Sequence, residues 1–147
     1  MKILFITIGK QNDSLIGDAV SEYTNRINKY FKTEWKVIPT SDIKKEGESI
    51  LKNIESDDYL VALDDKGKEL DTILLSQFIE KRMIEGDKRL VFVIGGAYGI
   101  SEEVFKKANF KWSLSKLTFP HQIVRLILSE SVYRAITVIK NEPYHHS

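Results

Sequence analysis

Gly95, Gly96 and Gly99 follow an apolar run that ends at Ile94 and precede Ser101, which can cap a short helix. Glycines in such a turn permit positive φ and let a backbone approach a ligand closely. The spacing GGxxG is not the GxGxxG dinucleotide fingerprint, nor a P-loop, which ends in Gly-Lys-Ser/Thr. A tight strand-to-helix turn without a ligand accounts for the same residues about as well. Leu63-Asp64, with Gly67 close behind, is a second feature. An acid at a strand end is placed to meet ribose hydroxyls, although a solvated turn is the plainer reading. The third feature runs from Ser113 through Leu114, Ser115, Lys116, Leu117, Thr118, Phe119 and Pro120 to His121. It mixes apolar and hydroxyl side chains just before a helix start. Such a loop can wrap an adenine apolarly while backbone groups bond its edge; an ordinary loop plugging the core is the alternative.

Charged residues interrupt the apolar stretch beyond Pro120. Glu130 and Arg134 stand four apart and can pair along a helix. No acid lies three or four positions from Arg125, so a role toward an anion or RNA is the more attractive reading there. The end of the chain reads Pro143-Tyr144-His145-His146-Ser147. Terminal residues usually fray. A tyrosine beside a histidine can also stack on a base and handle a proton, since histidines as a class titrate near neutrality. Two adjacent histidines do not make a structural metal site, which needs more ligands at set spacing. The chain has no cysteine, which excludes disulfides, thiolate nucleophiles and cysteine metal sites. No metal is expected.

These features need a scaffold. The chain has 147 residues, the size of one ordinary domain, expected over 1–147. It is 42% hydrophobic and 29% charged, near globular norms. No run is long enough to span a bilayer, and a cytoplasmic location is expected. Met1 to Gly9 superficially resembles a signal segment but lacks a small-residue cleavage site, and it reads as a first strand. The net charge is only +1, whereas nucleic-acid enzymes often carry a strong basic excess. Any RNA affinity must then come from a local patch, a second subunit or a composite site.

Strand and helix signals alternate with short connections. The sequence predicts strands at Lys2 to Gly9, Trp35 to Ile38, Tyr59 to Leu63, Arg89 to Ile94 and Trp112 to Ser115. A helix capped by Asn12 or Asp13 should carry Leu15, Ala19, Tyr23, Ile27 and Tyr30 on one face. Ser41 can cap a second helix. Asp64-Asp65-Lys66-Gly67 reads as a turn, and a helix follows from about Thr72 to Glu85 with Gly86 past its end. The last helix, about Pro120 to Lys140, is apolar on more than one face, which suggests a subunit interface. The fold class is α/β: a mostly parallel sheet in one domain with helices on both faces. Ligands of such sheets bind beyond the carboxyl ends of the strands, where the three loops lie.

Taken in order, the motifs resemble the RlmH family of SPOUT methyltransferases over essentially the whole chain. The residues that carry the likeness are Ile8-Gly9-Lys10, Leu63-Asp64 with Gly67, and Phe92 to Gly96 with Gly99. Ser113 to His121, Val124-Arg125, Glu130, Tyr133-Arg134-Ala135 and Pro143-Tyr144-His145 complete it and are its most specific part. The resemblance implies a SPOUT fold with a deep C-terminal trefoil knot, which general topology rules would disfavour. It implies a homodimer that uses S-adenosylmethionine as methyl donor. The expected product is N3-methylated pseudouridine in helix 69 of 23S rRNA, made on the assembled 70S ribosome. Carried onto this sequence, the donor contacts are Leu63, Gly95 and Leu114, Ser115, Lys116, Leu117, Thr118 and Phe119. Arg125, Tyr144 and His145 are the candidate catalytic residues: Arg125 for phosphate or the developing imide anion, the other two to close over the base, with His145 as proton acceptor. The rival readings are a non-catalytic ribosome-binding module of the same fold and a flavodoxin-like nucleotide-binding enzyme.

Overall fold

The apolar runs become five strands: β1 (Lys2–Ile8), β2 (Thr33–Ile38), β3 (Tyr59–Glu69), β4 (Arg89–Ile94) and β5 (Phe110–Ser113). Helices α1 (Ser14–Asn28), α2 (Ile43–Lys52), α3 (Thr72–Ile84) and α4 (Glu102–Lys107) connect them in turn, and α5 (His121–Ile139) follows β5. A computed structural model describes residues 1–10 and 13–146. All five strands form one sheet in the order β2-β1-β4-β3-β5, and every pairing is parallel. A parallel sheet is buried on both faces, so successive side chains must fill two cores. Ile3 and Phe5 of β1 and Leu90, Phe92 and Ile94 of β4 face the side covered by α1, α3 and α5. Their neighbours Leu4, Ile6, Ile8, Val91 and Val93 meet α2 and α4 through Ile50 and Val104.

Aspartates start α1, α2 and α3. Asp13 accepts from Ile16 N at 3.0 Å, Asp42 from Lys45 N at 2.9 Å and Asp71 from Leu74 N at 2.8 Å. Each satisfies an orphan amide of the first turn. Asp42, not Ser41, therefore caps α2; Ser41 N donates instead to Glu46 Oε2 at 2.9 Å. The alternative cap Asn12 lies outside the described residues. The buried stripe of α1 is Val20 and Ile27, rotated from the expected face, and Leu15 is 82% exposed. β5 starts two residues earlier than expected because Asn109 pairs with Leu60: its N donates to Leu60 O and its Oδ1 accepts from Leu60 N.

The largest departure is in β3. Residues 64–67 do not end the strand as a turn. Leu63 and Lys68 both align with Trp112, so the intervening residues form a wide bulge inside one long strand. Gly67 permits it: a Cβ there would stand 2.7 Å from the Lys111 carbonyl. The bulge lifts Asp64 and Asp65 out of the ladder at the carboxyl edge of the sheet.

α5 packs against the sheet between α1 and α3, burying Leu128, Val132, Ala135 and Ile136. Its outer side keeps Ile123, Leu126 and Ile127 half-buried. No helix among the described residues is long and apolar enough to cross a membrane.

Candidate active site

β4 delivers Gly95 to the carboxyl edge, where the chain turns tightly. Gly99 N donates to Gly96 O at 3.0 Å, and Gly99 adopts φ +88°, a conformation that favours glycine. Gly95 needs its missing side chain for room, since a Cβ there would lie 2.7 Å from the Gly99 carbonyl and 2.7 Å from Ile100. Tyr98 at the tip is 91% exposed, and Ser101 then caps α4.

A second loop faces this one. Ser113, buried at the end of β5, donates through Oγ to Ser115 O at 3.0 Å. Ser115 Oγ accepts from Leu117 N at 3.0 Å. These short local bonds shape the loop before Pro120 sets the start of α5.

The two loops and the β3 bulge enclose a cleft of about 290 Å³, near the small end of ligand pockets. Seven of the eight residues expected to hold the donor line it: Leu63, Gly95, Leu114, Ser115, Leu117, Thr118 and Phe119. Lys116 does not; its ammonium lies 3.8 Å from Glu69 at the surface. The flanking side chains of this loop face the cleft while Lys116 turns to solvent. Ile94, Asp65, Ala97, His121 and Val124 also line it and were not singled out as donor contacts. Val124 could have been found as the apolar residue one helical turn beyond Pro120.

The chemistry of the cleft suits a nucleoside carrying positive charge. Leu63, Ile94, Leu114, Phe119 and Val124 offer apolar contact to a flat base. Backbone groups of the glycine loop border it, and Asp64 and Asp65 stand at the rim. Among the described residues no lysine or arginine lines it. Carboxylates without cations favour a cationic ligand and hydrogen-bond ribose hydroxyls.

Arg125, the residue after Val124, points to the other side of α5. It is 2% exposed. Nε donates to Thr7 Oγ1 at 3.0 Å, one terminal nitrogen to Lys10 O at 2.7 Å and the other to Ile8 O at 3.2 Å. Burial holds its pKa below the usual arginine value. The guanidinium thus ties the first turn of α5 to the end of β1. Replacing it with lysine keeps the charge but not the fork. Arg125→Lys is expected to lower stability by about 2 kcal/mol, the scale of one or two charge-assisted bonds, measured by urea denaturation. Unchanged stability with weakened RNA binding would instead make Arg125 a surface contact.

Tyr144 and His145 do not line the cleft. The tail folds back on the α1–α5 face, with the Tyr144 hydroxyl 3.4 Å from both Tyr23 OH and Glu130 Oε1. Its ring packs edge-on against Tyr133 at 4.8 Å, and the Arg134 guanidinium lies 4.7 Å from the ring centre. Burial, the Tyr23 hydrogen bond and the nearby Glu130 carboxylate raise the Tyr144 pKa against the opposing pull of Arg134, so the phenol keeps its proton at neutral pH. Arg134 pairs with Glu130 at 2.7 Å, as their spacing predicts, and its other nitrogen approaches His145 Nδ1 at 3.3 Å. A guanidinium only donates, so Nδ1 accepts here.

Comparisons with known proteins place the chain in a family. The family described as "Predicted SPOUT methyltransferase" matches residues 1–145. The ribosomal RNA large subunit methyltransferase H of Parabacteroides distasonis is 50% identical, over 99% of both chains. Proteins of the same name from Christiangramia forsetii and Flavobacterium johnsoniae are 46% and 43% identical, again over 99% of both chains. Among solved structures, one described as a probable methylase family protein from Haemophilus influenzae Rd KW20 shares the fold. Its TM-score is 0.59 at 10% identity, covering 99% of this chain and 70% of that one. With a family match over nearly its whole length and such relatives, the chain belongs to the SPOUT methyltransferases and, among them, to the RlmH family.

Proposed function

We propose that this protein transfers a methyl group from S-adenosylmethionine to N3 of a pseudouridine in helix 69 of 23S rRNA. It acts as a cytoplasmic homodimer on the assembled 70S ribosome. The observation that carries the reading is the cleft: Gly95 and the 114–119 loop enclose it, carboxylates border it and, among the described residues, no lysine or arginine lines it. The relatives' names, which specify ribosomal RNA of the large subunit, support the substrate. A whole ribosome as substrate also suits a net charge of +1, because particle shape shares the recognition. The family match sets aside the flavodoxin-like alternative. The trefoil knot belongs to the same reading, with the glycine loop and the 114–119 loop as its interlaced segments.

When bound, S-adenosylmethionine supplies a methyl group on a sulfonium for in-line displacement by N3. The chain's part is to bind, orient and handle one proton. Leu63, Leu114 and Phe119 hold the adenine, Asp64 the ribose, and the glycine backbone the remaining polar edge. Positioning of this kind contributes about 7–11 kcal/mol at the most favourable alignments. The base must be presented unstacked, which loop RNA makes inexpensive. Arg125 holds α5 in register beneath the cleft. Tyr144 donates a hydrogen bond as a neutral phenol, and His145 takes the N3 proton once it leaves Arg134.

The tail's position argues for two subunits. Its partners lie at Glu130 to Arg134, whereas the cleft touches α5 at His121 and Val124. At 1.5 Å per residue this is about 9–20 Å farther along the helix. A second copy packed on the half-buried outer side of α5 can bring its tail to this cleft. The test is methyl transfer from radiolabelled S-adenosylmethionine to 70S ribosomes lacking the modification, beside isolated subunits. Label in helix 69 of the 70S particle is the expected result. Donor binding without label points to another RNA, and no donor binding to a non-catalytic module.

A further inference from the structure

Glu46 is a buried acid, at 6% exposure. A buried carboxylate is unfavourable unless it is hydrogen-bonded. Oε2 accepts from Ser41 N at 2.9 Å. The carboxylate also lies against the glycine loop: a Cβ on Gly96 would stand 2.9 Å from Oε1 and 3.3 Å from Oε2. Gly96 does not have positive φ, so space rather than conformation limits a side chain there, with a Glu46 oxygen nearest and Ile8 Cγ2 at 3.2 Å beside it. The next residue repeats the pattern. Gly47 sits inside α2, where glycine weakens a helix. A Cβ there would lie 2.2 Å from Ser101 Oγ, the cap of α4. Helix α2 therefore touches both ends of the turn, at Gly96 through Glu46 and at Ser101 through Gly47. Between these ends lie Ala97 and Gly99, which line the cleft with Gly96.

We propose that Glu46 is a positioning residue for the donor loop: seated between Ser41 N–H and Gly96, it sets the height of the Gly95-to-Gly99 turn and so the shape of the cleft. This rests on reading the cleft as the donor site. The same carboxylate joins the β2–α2 turn to the β4–α4 turn, so loop height is coupled to the packing of α2 on the sheet.

The test combines calorimetric binding of S-adenosylmethionine with amide hydrogen exchange across residues 95–100 of the full chain. Glu46→Ala is expected to weaken donor binding about tenfold, the upper part of the range for a residue outside the binding surface. It should also speed exchange in the loop. Glu46→Gln keeps an oxygen for Ser41 N–H and the same volume, so it should restore binding to within about threefold. Gly96→Ala should weaken binding in the natural background and much less beside Glu46→Ala, where the obstructing oxygens are gone. A merely structural role would lower the melting temperature of Glu46→Ala while leaving donor affinity and loop exchange alone, and that overturns the proposal. Strictly additive effects of Glu46→Ala and Gly96→Ala overturn it too. If Glu46→Ala does not fold, Glu46→Gln and Gly96→Ala decide: a weakened Glu46→Gln with an unaffected Gly96→Ala overturns it. Failure of the natural protein to bind donor would sink the donor-site reading alone, because loop exchange still reports whether Glu46 holds the turn.

Discussion

Removal of Tyr144 to Ser147 is expected to reduce methyl transfer by about 10³-fold, while S-adenosylmethionine binds within about twofold of its affinity for the intact chain. General acid–base groups contribute about 10²–10⁴-fold, and the truncation takes away the proposed proton acceptor together with the phenol that closes over the base. Donor binding is spared because the cleft is built from β3, the glycine loop and the 114–119 loop, whereas Tyr144 and His145 hydrogen-bond to Tyr23, Glu130 and Arg134. The shortened chain also loses the Tyr144 ring from between Tyr133 and Arg134, so a modest fall in melting temperature accompanies the effect. A mixed dimer separates the two ways the tail could act. One subunit carries Gly95→Ala with its tail intact; the other has a sound cleft and no tail. If the tail acts across the interface, the mixture recovers activity that neither parent shows. If the tail serves its own subunit, the mixture stays inactive, and the two-subunit reading falls. Full turnover in the truncated protein would remove Tyr144 and His145 from the mechanism altogether.

The sequence carried the cleft better than the residues around it. β4 is as read, Arg89 to Ile94, because a run of buried β-branched and aromatic residues bounded by Lys88 and Gly95 has one plain interpretation. Seven of the eight residues expected to hold the donor come together around the cleft, and Lys116 turns away. What the sequence hid depends on long-range partners. Arg125 has no acid at helical spacing, and its hydrogen bonds reach across to Thr7, Ile8 and Lys10 more than a hundred residues away. Glu46 reads as one more acid in the polar stretch Lys44-Lys45-Glu46-Gly47-Glu48, and only the fold places the glycine loop against it. The acidic and glycine residues at 64–67 have turn chemistry, but pairing of Lys68 with Trp112 resumes the strand beyond them. Local propensity cannot report a partner strand that lies forty residues downstream.

Gly95→Ala should abolish donor binding, weakening it by about 100-fold or more. An alanine Cβ at this position would meet the Gly99 carbonyl carbon and oxygen at 2.7 Å and Ile100 Cγ1 at 2.7 Å. Real Cβ atoms do not approach backbone so closely, so the turn must open. Nothing nearby can yield without moving the site: Gly99 N is bonded to Gly96 O, Ile100 is buried, and Ser101 is fixed as the cap of α4. The displacement therefore passes into the wall of the cleft, whose backbone groups must meet the donor within hydrogen-bond tolerance. Loss of two such bonds at about 1.4 kcal/mol each gives the expected factor. The informative control is Gly86→Ala. Gly86 has φ +78° and open space around it, so alanine there is strained without touching anything. That strain of about 1–2 kcal/mol should lower the melting temperature and leave donor affinity unchanged, since Gly86 ends α3 and does not line the cleft. Equal losses of donor affinity in both variants would mean that global destabilisation governs binding. A Gly95→Ala protein that binds donor normally would mean that the glycine loop does not hold the donor.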